Sequence, residues 1–235
     1  MHQISISAEA IAFARRQRGG ALNMFDQLDL ARTAHIIVDM QNGFVEPGAP
    51  VEVPVAREIV ADINAISRAI RAGGGTNVFL QMTVDPDSIQ SWSNWFKYFH
   101  TPDSTAGFED SFGHGRHGWT LWPGMETAEG DLFVDKTRFG AFVPGASRLH
   151  EILQSRGIDT LVITGTLSNC CCESTARDAM QMNYKLIFVS DANAALTDAA
   201  HNATLDNMCM IFADVRPASE VVALIAASAV RVAAE

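Results

Sequence analysis

Short β-branched and apolar runs alternate with longer stretches of helical period along most of the chain, and this alternation restricts the fold more than any other feature. AHIIVD (34 to 39) is a continuous apolar run closed by an acid, the pattern of a strand buried on both faces. After the loop QNGFVEPGAP, Pro54 can open a helical turn, and Ile59, Ile63, Ile66 and Ile70 then fall along one helix face. Glycines 73 to 75 end that helix, and NVFLQMT (77 to 83) resumes as a strand. LFVD (132 to 135), TLVIT (160 to 164), KLIFVS (185 to 190) and IFADV (211 to 215) also read as strands. Helical stretches lie near 146 to 156, 170 to 183, 198 to 210 and 218 to 233. The pattern predicts an α/β fold: one doubly wound, Rossmann-like parallel sheet of six strands with helices on both faces, in a single domain over 1 to 235.

Composition narrows the partners. With 48% hydrophobic and 19% charged residues, the chain is not of the disordered class. Its 17 Lys and Arg against 27 Asp and Glu leave a formal charge of −10, which repels a phosphate backbone and an anionic membrane surface, so neither nucleic acid nor membrane is expected as a partner. Residues 1 to 20 lack the basic start, apolar run and cleavage site of a leader, and the apolar run Val221 to Val230 is too short to span a bilayer. Three of the four cysteines, Cys170, Cys171 and Cys172, are consecutive and cannot staple distant elements by pairing with each other. A reducing, cytoplasmic setting is the expectation.

The regular alternation is interrupted from Asp85 to Gly130, a segment without a strong period that holds all four tryptophans. Segments of this kind serve as lids, binding loops or subunit contacts. Within it Trp92, Trp95, Phe96 and Phe99 recur at three- to four-residue spacing, the pattern of a helix burying an aromatic face. That face either walls a substrate pocket, together with Phe44, or meets a second copy of the chain in a homo-oligomer.

Ligands of open parallel sheets bind outside the carboxyl ends of the strands, so reactive residues just after a strand are the first candidates. Asp39 closes the first strand, Lys136 follows LFVD, and the cysteine run follows TLVIT by a short turn. The topology brings all three to one edge. Taken singly, each has an ordinary structural role: a turn-forming acid, a surface lysine and a small packing residue. Together they offer what a thiol nucleophile requires, namely a helix start, a cation and a carboxylate that accepts its proton.

The segment TGTLSNCCCESTARDA (164 to 179) resembles the nucleophile motif of the isochorismatase-like cysteine hydrolases, carried here by Thr164, Gly165, Ser168, Asn169, Cys171 and Thr175 to Ala179. IIVDMQNGF (36 to 44) is similar to that family's acid-bearing first strand, and VDKTRFGAF (134 to 142) to its lysine loop. The resemblance runs from about Ala34 to the last helix, with the three motifs in order. It implies Cys171 as nucleophile, Asp39 as proton acceptor and Lys136 as the cation that holds both. It also implies a cis peptide between Thr166 and Leu167 and an oxyanion hole from the backbone N–H groups of Leu167 and Cys171. Leu167 departs from the small residue common there, which alters the pocket's shape and leaves the backbone donor in place. The flanking Cys170 and Cys172, like Cys209, are expected to pack.

The implied activity is hydrolysis of a small linear amide, carbamoyl or ureido compound through a thioester, releasing ammonia or an amine, with no cofactor. Vinyl ether hydrolysis of the isochorismatase type needs no cysteine nucleophile, and Cys171 argues against it. A thiol redox or peroxide-responsive protein is the alternative of another class. No metal is expected: His114 and His117 lie in GHGRHG, which neither follows a strand nor opens a helix. The segment after the second strand, MTVDPDSIQSW, has Asp85 and Asp87 but lacks the two histidines of nicotinamidase relatives.

Overall fold

The computed structural model describes residues 1–232. Its centre is a six-stranded, wholly parallel sheet: β1 (Thr33–Val38), β2 (Thr76–Met82), β3 (Leu132–Lys136), β4 (Thr160–Thr166), β5 (Lys185–Ala194) and β6 (Asp214–Arg216), in the order β3-β2-β1-β4-β5-β6. The chain turns from building leftward to building rightward between β1 and β4, which makes the carboxyl edge of those two strands the switch point where such sheets hold ligands.

Both faces are covered, as the unbroken apolar runs predict. Every residue of β1 and β4 is buried. Ile37, Phe79, Val162 and Ile187 point to one face, against α3 (Val60–Ala72) and α10 (Ala218–Val232). The predicted isoleucines 59, 63, 66 and 70 all pack there. Ile36, Val38, Leu80 and Ile163 point to the other face, against α7 (Leu149–Ser155), α8 (Glu173–Gln181) and α9 (Asp198–Asn207). Alternation along each strand thus divides one apolar run between two cores.

Several local expectations change. α1 (Ala8–Gln17), capped by the Ser7 side chain, is an additional helix, and its buried side chains are only Ala10 and Ala14, too small to mark an apolar stripe. A short α2 (Asn42–Val45) lies within the first loop, and Pro54 opens a separate 3₁₀ turn, Pro54–Arg57, ahead of α3. The segment 85 to 130 is substantially helical in its first half: α4 (Pro86–Ser91), α5 (Ser93–Phe99) and α6 (Pro102–Phe112). α4 and α6 each begin with a reciprocal cap, Asp85 with Ser88 and Thr101 with Ser104, and a proline in the first position. Residues 208 to 212 form a π turn, so the last strand begins at Asp214 rather than at 211. The last helix reaches Val232, and position 233 of the predicted stretch lies outside the described residues.

Candidate active site

Three strand ends deliver the candidate residues. Asp39 follows β1 directly and adopts a left-handed backbone (φ +52°), a conformation that Asp tolerates better than most residues. Its N–H donates to the Leu80 carbonyl (3.0 Å), which continues the β1 to β2 ladder by one step. Lys136 is the last residue of β3, in register with Met82 of β2. β3 and β1 are therefore separated by one strand, about 10 Å at the usual strand spacing. A long side chain is needed to cross that gap. Lys136 reaches over, passing 3.7 Å from Met82 Sδ, and sets Nζ 2.8 Å from Asp39 Oδ2. Its ammonium also donates to the Arg138 carbonyl at 3.2 Å. Both side chains have 0% exposure.

The cysteines arrive from β4. Gly165 has φ +117°, and a Cβ there would stand 2.1 Å from the Val38 carbonyl oxygen, so only glycine lets β4 run this close to the residue before Asp39. The Thr166–Leu167 peptide is cis, as the resemblance implies. Ser168–Cys172 then form a π turn leading into α8. The Leu167 carbonyl accepts the N–H groups on either side of Cys171, those of Cys170 and Cys172, at 3.1 Å each. Ser168 is tied from below by its hydroxyl to His201 Nδ1 (2.8 Å), whose Nε2 donates to the Ser190 carbonyl (2.9 Å). A π turn is wider than an α turn and sets successive side chains closer than the 100° of an α-helix. Cys170 and Cys171 consequently both reach the cavity in front of the sheet, while Cys172 turns into the core behind it. Cys170, half-buried, packs against the same core cluster as Cys172, as expected, and the π turn lets it also face the cavity.

Electrostatics follow from burial and the single ion pair. Burial raises the Asp39 carboxyl above the ordinary carboxylate range, opposed by the Lys136 charge. Burial works against the Lys136 ammonium, but Asp39 and Cys171 outweigh it and hold the lysine above its usual value, so it stays charged. Its hydrogen bond with Cys170 and its burial raise the Cys171 thiol. The site thus sets a thiol and an ammonium against a carboxyl of raised proton affinity. By strict angular geometry neither Asp39 oxygen accepts a well-directed hydrogen bond, although Lys136 and the Cys171 thiol both come close enough to stabilise the anion. The carboxylate has room to take a proton, and its raised affinity favours doing so.

Cys171 lies on the floor of a cavity of about 260 Å³. Phe44, Val51, Met82 and Leu167 form its inner wall, and Trp95, His100, Phe108 and Phe139 its outer wall. Phe44 and Trp95 of the aromatic residues expected there line it. Trp92 stands one layer out, stacked on Trp95 at 4.3 Å and facing a neighbouring surface pocket with Arg138. No motif marks His100 and Phe108, which meet the cavity only through the fold of the inserted helices, and Phe139 lies in the lysine-loop motif VDKTRFGAF without being singled out by it. Gln41 was missed too: its side chain accepts from Met82 N–H (2.8 Å) and donates to the Trp119 carbonyl (2.8 Å), clamping the insertion to the end of β2. His114 and His117 engage different carboxylates, Asp135 at 3.7 Å and Glu46 at 2.7 Å.

An acid, a lysine and a cysteine gathered at the carboxyl edge of a doubly wound sheet, beneath an aromatic cavity, define a Rossmann-like α/β protein with a buried ion pair beside a thiol. A family model described as the isochorismatase domain matches residues 33–220, and the chain belongs to the isochorismatase family. It is similar to the ureidoacrylate amidohydrolase RutB of Caulobacter vibrioides, 29% identical over 76% of this chain and 81% of the relative. It is also similar to RutB of Variovorax paradoxus, 33% identical over 74% of this chain and 73% of the relative. Among solved structures, a cysteine hydrolase from Pseudomonas syringae pv. phaseolicola superposes with a TM-score of 0.79 at 26% identity, covering 88% of this chain and 98% of that one. Among the described residues no helix is long and apolar enough to cross a membrane.

Proposed function

We propose that the protein is a cysteine hydrolase that cleaves the C–N bond of a small linear amide, carbamoyl or ureido compound. The observation that carries this reading is the Asp39–Lys136 ion pair at 0% exposure, set against Cys171 on the floor of the cavity. Relatives named as amidohydrolases support it. Asp39 takes the Cys171 proton, and the sulfur attacks the carbonyl carbon as Lys136 holds the acid and the developing thiolate in place. The oxyanion meets the backbone N–H groups of Leu167 and Cys171, donors of a kind worth about 2.7 to 4 kcal/mol each in acyl transfer. Asp39 returns its proton to the departing nitrogen as the C–N bond breaks. Water then attacks the thioester, giving a proton to Asp39 that finally restores the thiol.

Ammonia release over a panel of small amides and ureido compounds tests the assignment. Cys171→Ala is expected to abolish turnover, whereas Cys170→Ala and Cys172→Ala keep most of it; turnover persisting without Cys171 refutes it. The four free thiols support a reducing, cytoplasmic setting. Tyr98 and Phe99, 67% and 79% exposed on α5, support a homo-oligomer in which the inserted helices meet a second copy.

A further inference from the structure

The chemistry at Cys171 leaves open what is attached to the scissile amide, and the cavity wall speaks to that. Its volume of about 260 Å³ corresponds to about nine non-hydrogen atoms at the roughly 30 Å³ each that liquid water allots. Apart from the two cysteines and the indole N–H of Trp95, His100 is the one polar side chain in the wall, and neither lysine nor arginine lines it, among the described residues. The cations nearby are occupied elsewhere. Lys136 is held by Asp39 at 2.8 Å. Arg138 donates to the Thr137 carbonyl (2.7 Å) and Ser91 Oγ (2.9 Å), with its guanidinium 5.0 Å from the Trp92 ring. Lys97 lies over Tyr98 at 5.1 Å. His100 is set among aromatic rings, 4.2 Å from Trp95 and 5.5 Å from Phe108, with Nδ1 3.2 Å from Ser104 Oγ.

A carboxylate placed in this cavity exchanges water for apolar walls with no counter-charge, a transfer that disfavours the ion heavily. We propose that the site takes uncharged amides or carbamoyl compounds with a compact apolar or aromatic body, and discriminates against acids that carry a carboxylate at the far end. This selectivity rests on the amidohydrolase reading and narrows it: an anionic ureido acid, of the kind named for the relatives above, is a poor substrate here. Phe44, Trp95, Phe108 and Phe139 are the specificity-determining residues, providing flat apolar surface around the substrate body.

The test uses two isosteres, 5-methylhexanamide and glutaramate, in which an isopropyl end replaces the carboxylate. Ammonia release by the wild type gives kcat/KM for each. Binding to Cys171→Ala, followed by quenching of tryptophan fluorescence, gives Kd without turnover. The neutral amide is expected to lead by roughly 100-fold or more in both measures, as the cost of burying an unpaired charge implies. Equal values, a preference for glutaramate or failure of both to bind overturns the inference. His100→Phe is expected to leave the preference unchanged; loss of appreciable glutaramate binding in that variant identifies an anion anchor and also overturns it. If the wild type hydrolyses neither compound while Cys171→Ala still binds the neutral one selectively, the amidohydrolase reading fails and the cavity's selectivity stands.

Discussion

Replacing Lys136 with Met removes one charge of a buried pair while keeping a long stem in the same channel. At 2.8 Å and an effective dielectric of about 20, the pair attracts with about 6 kcal/mol, much of it offset by the desolvation of both groups. Removing one partner leaves the other charge buried alone, and the expected loss of stability is about 3 to 5 kcal/mol. At roughly 2 to 4 °C per kcal/mol for a chain of this size, Tm falls by about 6 to 20 °C. The pH dependence has a definite sign. The Asp39 carboxyl is already raised by burial, and loss of the ammonium raises it further. A raised folded pKa contributes stability that is present below the unfolded value, near 4, and lost as pH rises through the folded value. The deficit of Lys136→Met relative to wild type is therefore largest at neutral pH and shrinks on acidification. Turnover at neutral pH falls sharply, because no ammonium then holds the Asp39 carboxyl and the developing thiolate in place. Adding Asp39→Asn removes the stranded charge and keeps a side chain that tolerates the left-handed backbone, so the double variant regains stability but not activity. Thermal unfolding of the wild type and both variants from about pH 4 to 8 is the assay. A Lys136→Met protein with wild-type Tm at pH 7, or a double variant no more stable than the single one, refutes the reasoning.

Two further outcomes are expected. Gly165→Ala should cost at least about 2 kcal/mol in urea unfolding with an unchanged m value, since the new Cβ meets the Val38 carbonyl at 2.1 Å and φ is +117°; a neutral effect means that β4 can retreat from β1. Burial lowers His35, held between Thr164 Oγ1 at 2.8 Å and Ser67 Oγ at 3.2 Å, to about pKa 3. A depressed folded pKa contributes stability that is present above the unfolded value near 6.5 and lost as pH falls through the folded one, so the wild type should lose stability across that window. His35→Asn should flatten part of the slope in denaturant unfolding; an unchanged slope assigns it to other groups, such as His201, which burial lowers to about 4.

The sheet could be read from the sequence because the strands of a doubly wound fold are buried on both faces and stand out as continuous apolar runs. All six were found, with errors at their ends: β5 runs to Ala194, four residues beyond the apolar run, and β6 starts late because Met208–Phe212 close a π turn. Of the short inserted helices, α5 is marked by the period of Trp92, Trp95, Phe96 and Phe99, whereas α4, only six residues long, is too short for a helical stripe and is marked by its cap instead. α1 was lost for a related reason, because two buried alanines make no stripe.

Asp39, Lys136 and Cys171 were readable as candidates because each follows a strand, and strand ends converge in a parallel sheet whatever lies between them. Their chain order and local motifs were therefore enough to nominate the constellation and its family. What proximity means chemically came from the packing: Lys136 reaching across β2 to Asp39, and a π turn showing two thiols, not one, to the cavity. Beyond Phe44 and Trp95, the wall of that cavity depended on tertiary structure. Met82, His100, Phe108 and Phe139 come from distant parts of the chain with no shared period. Periodicity records which face of an element is buried, but not which other element it meets, and substrate choice depends on that meeting.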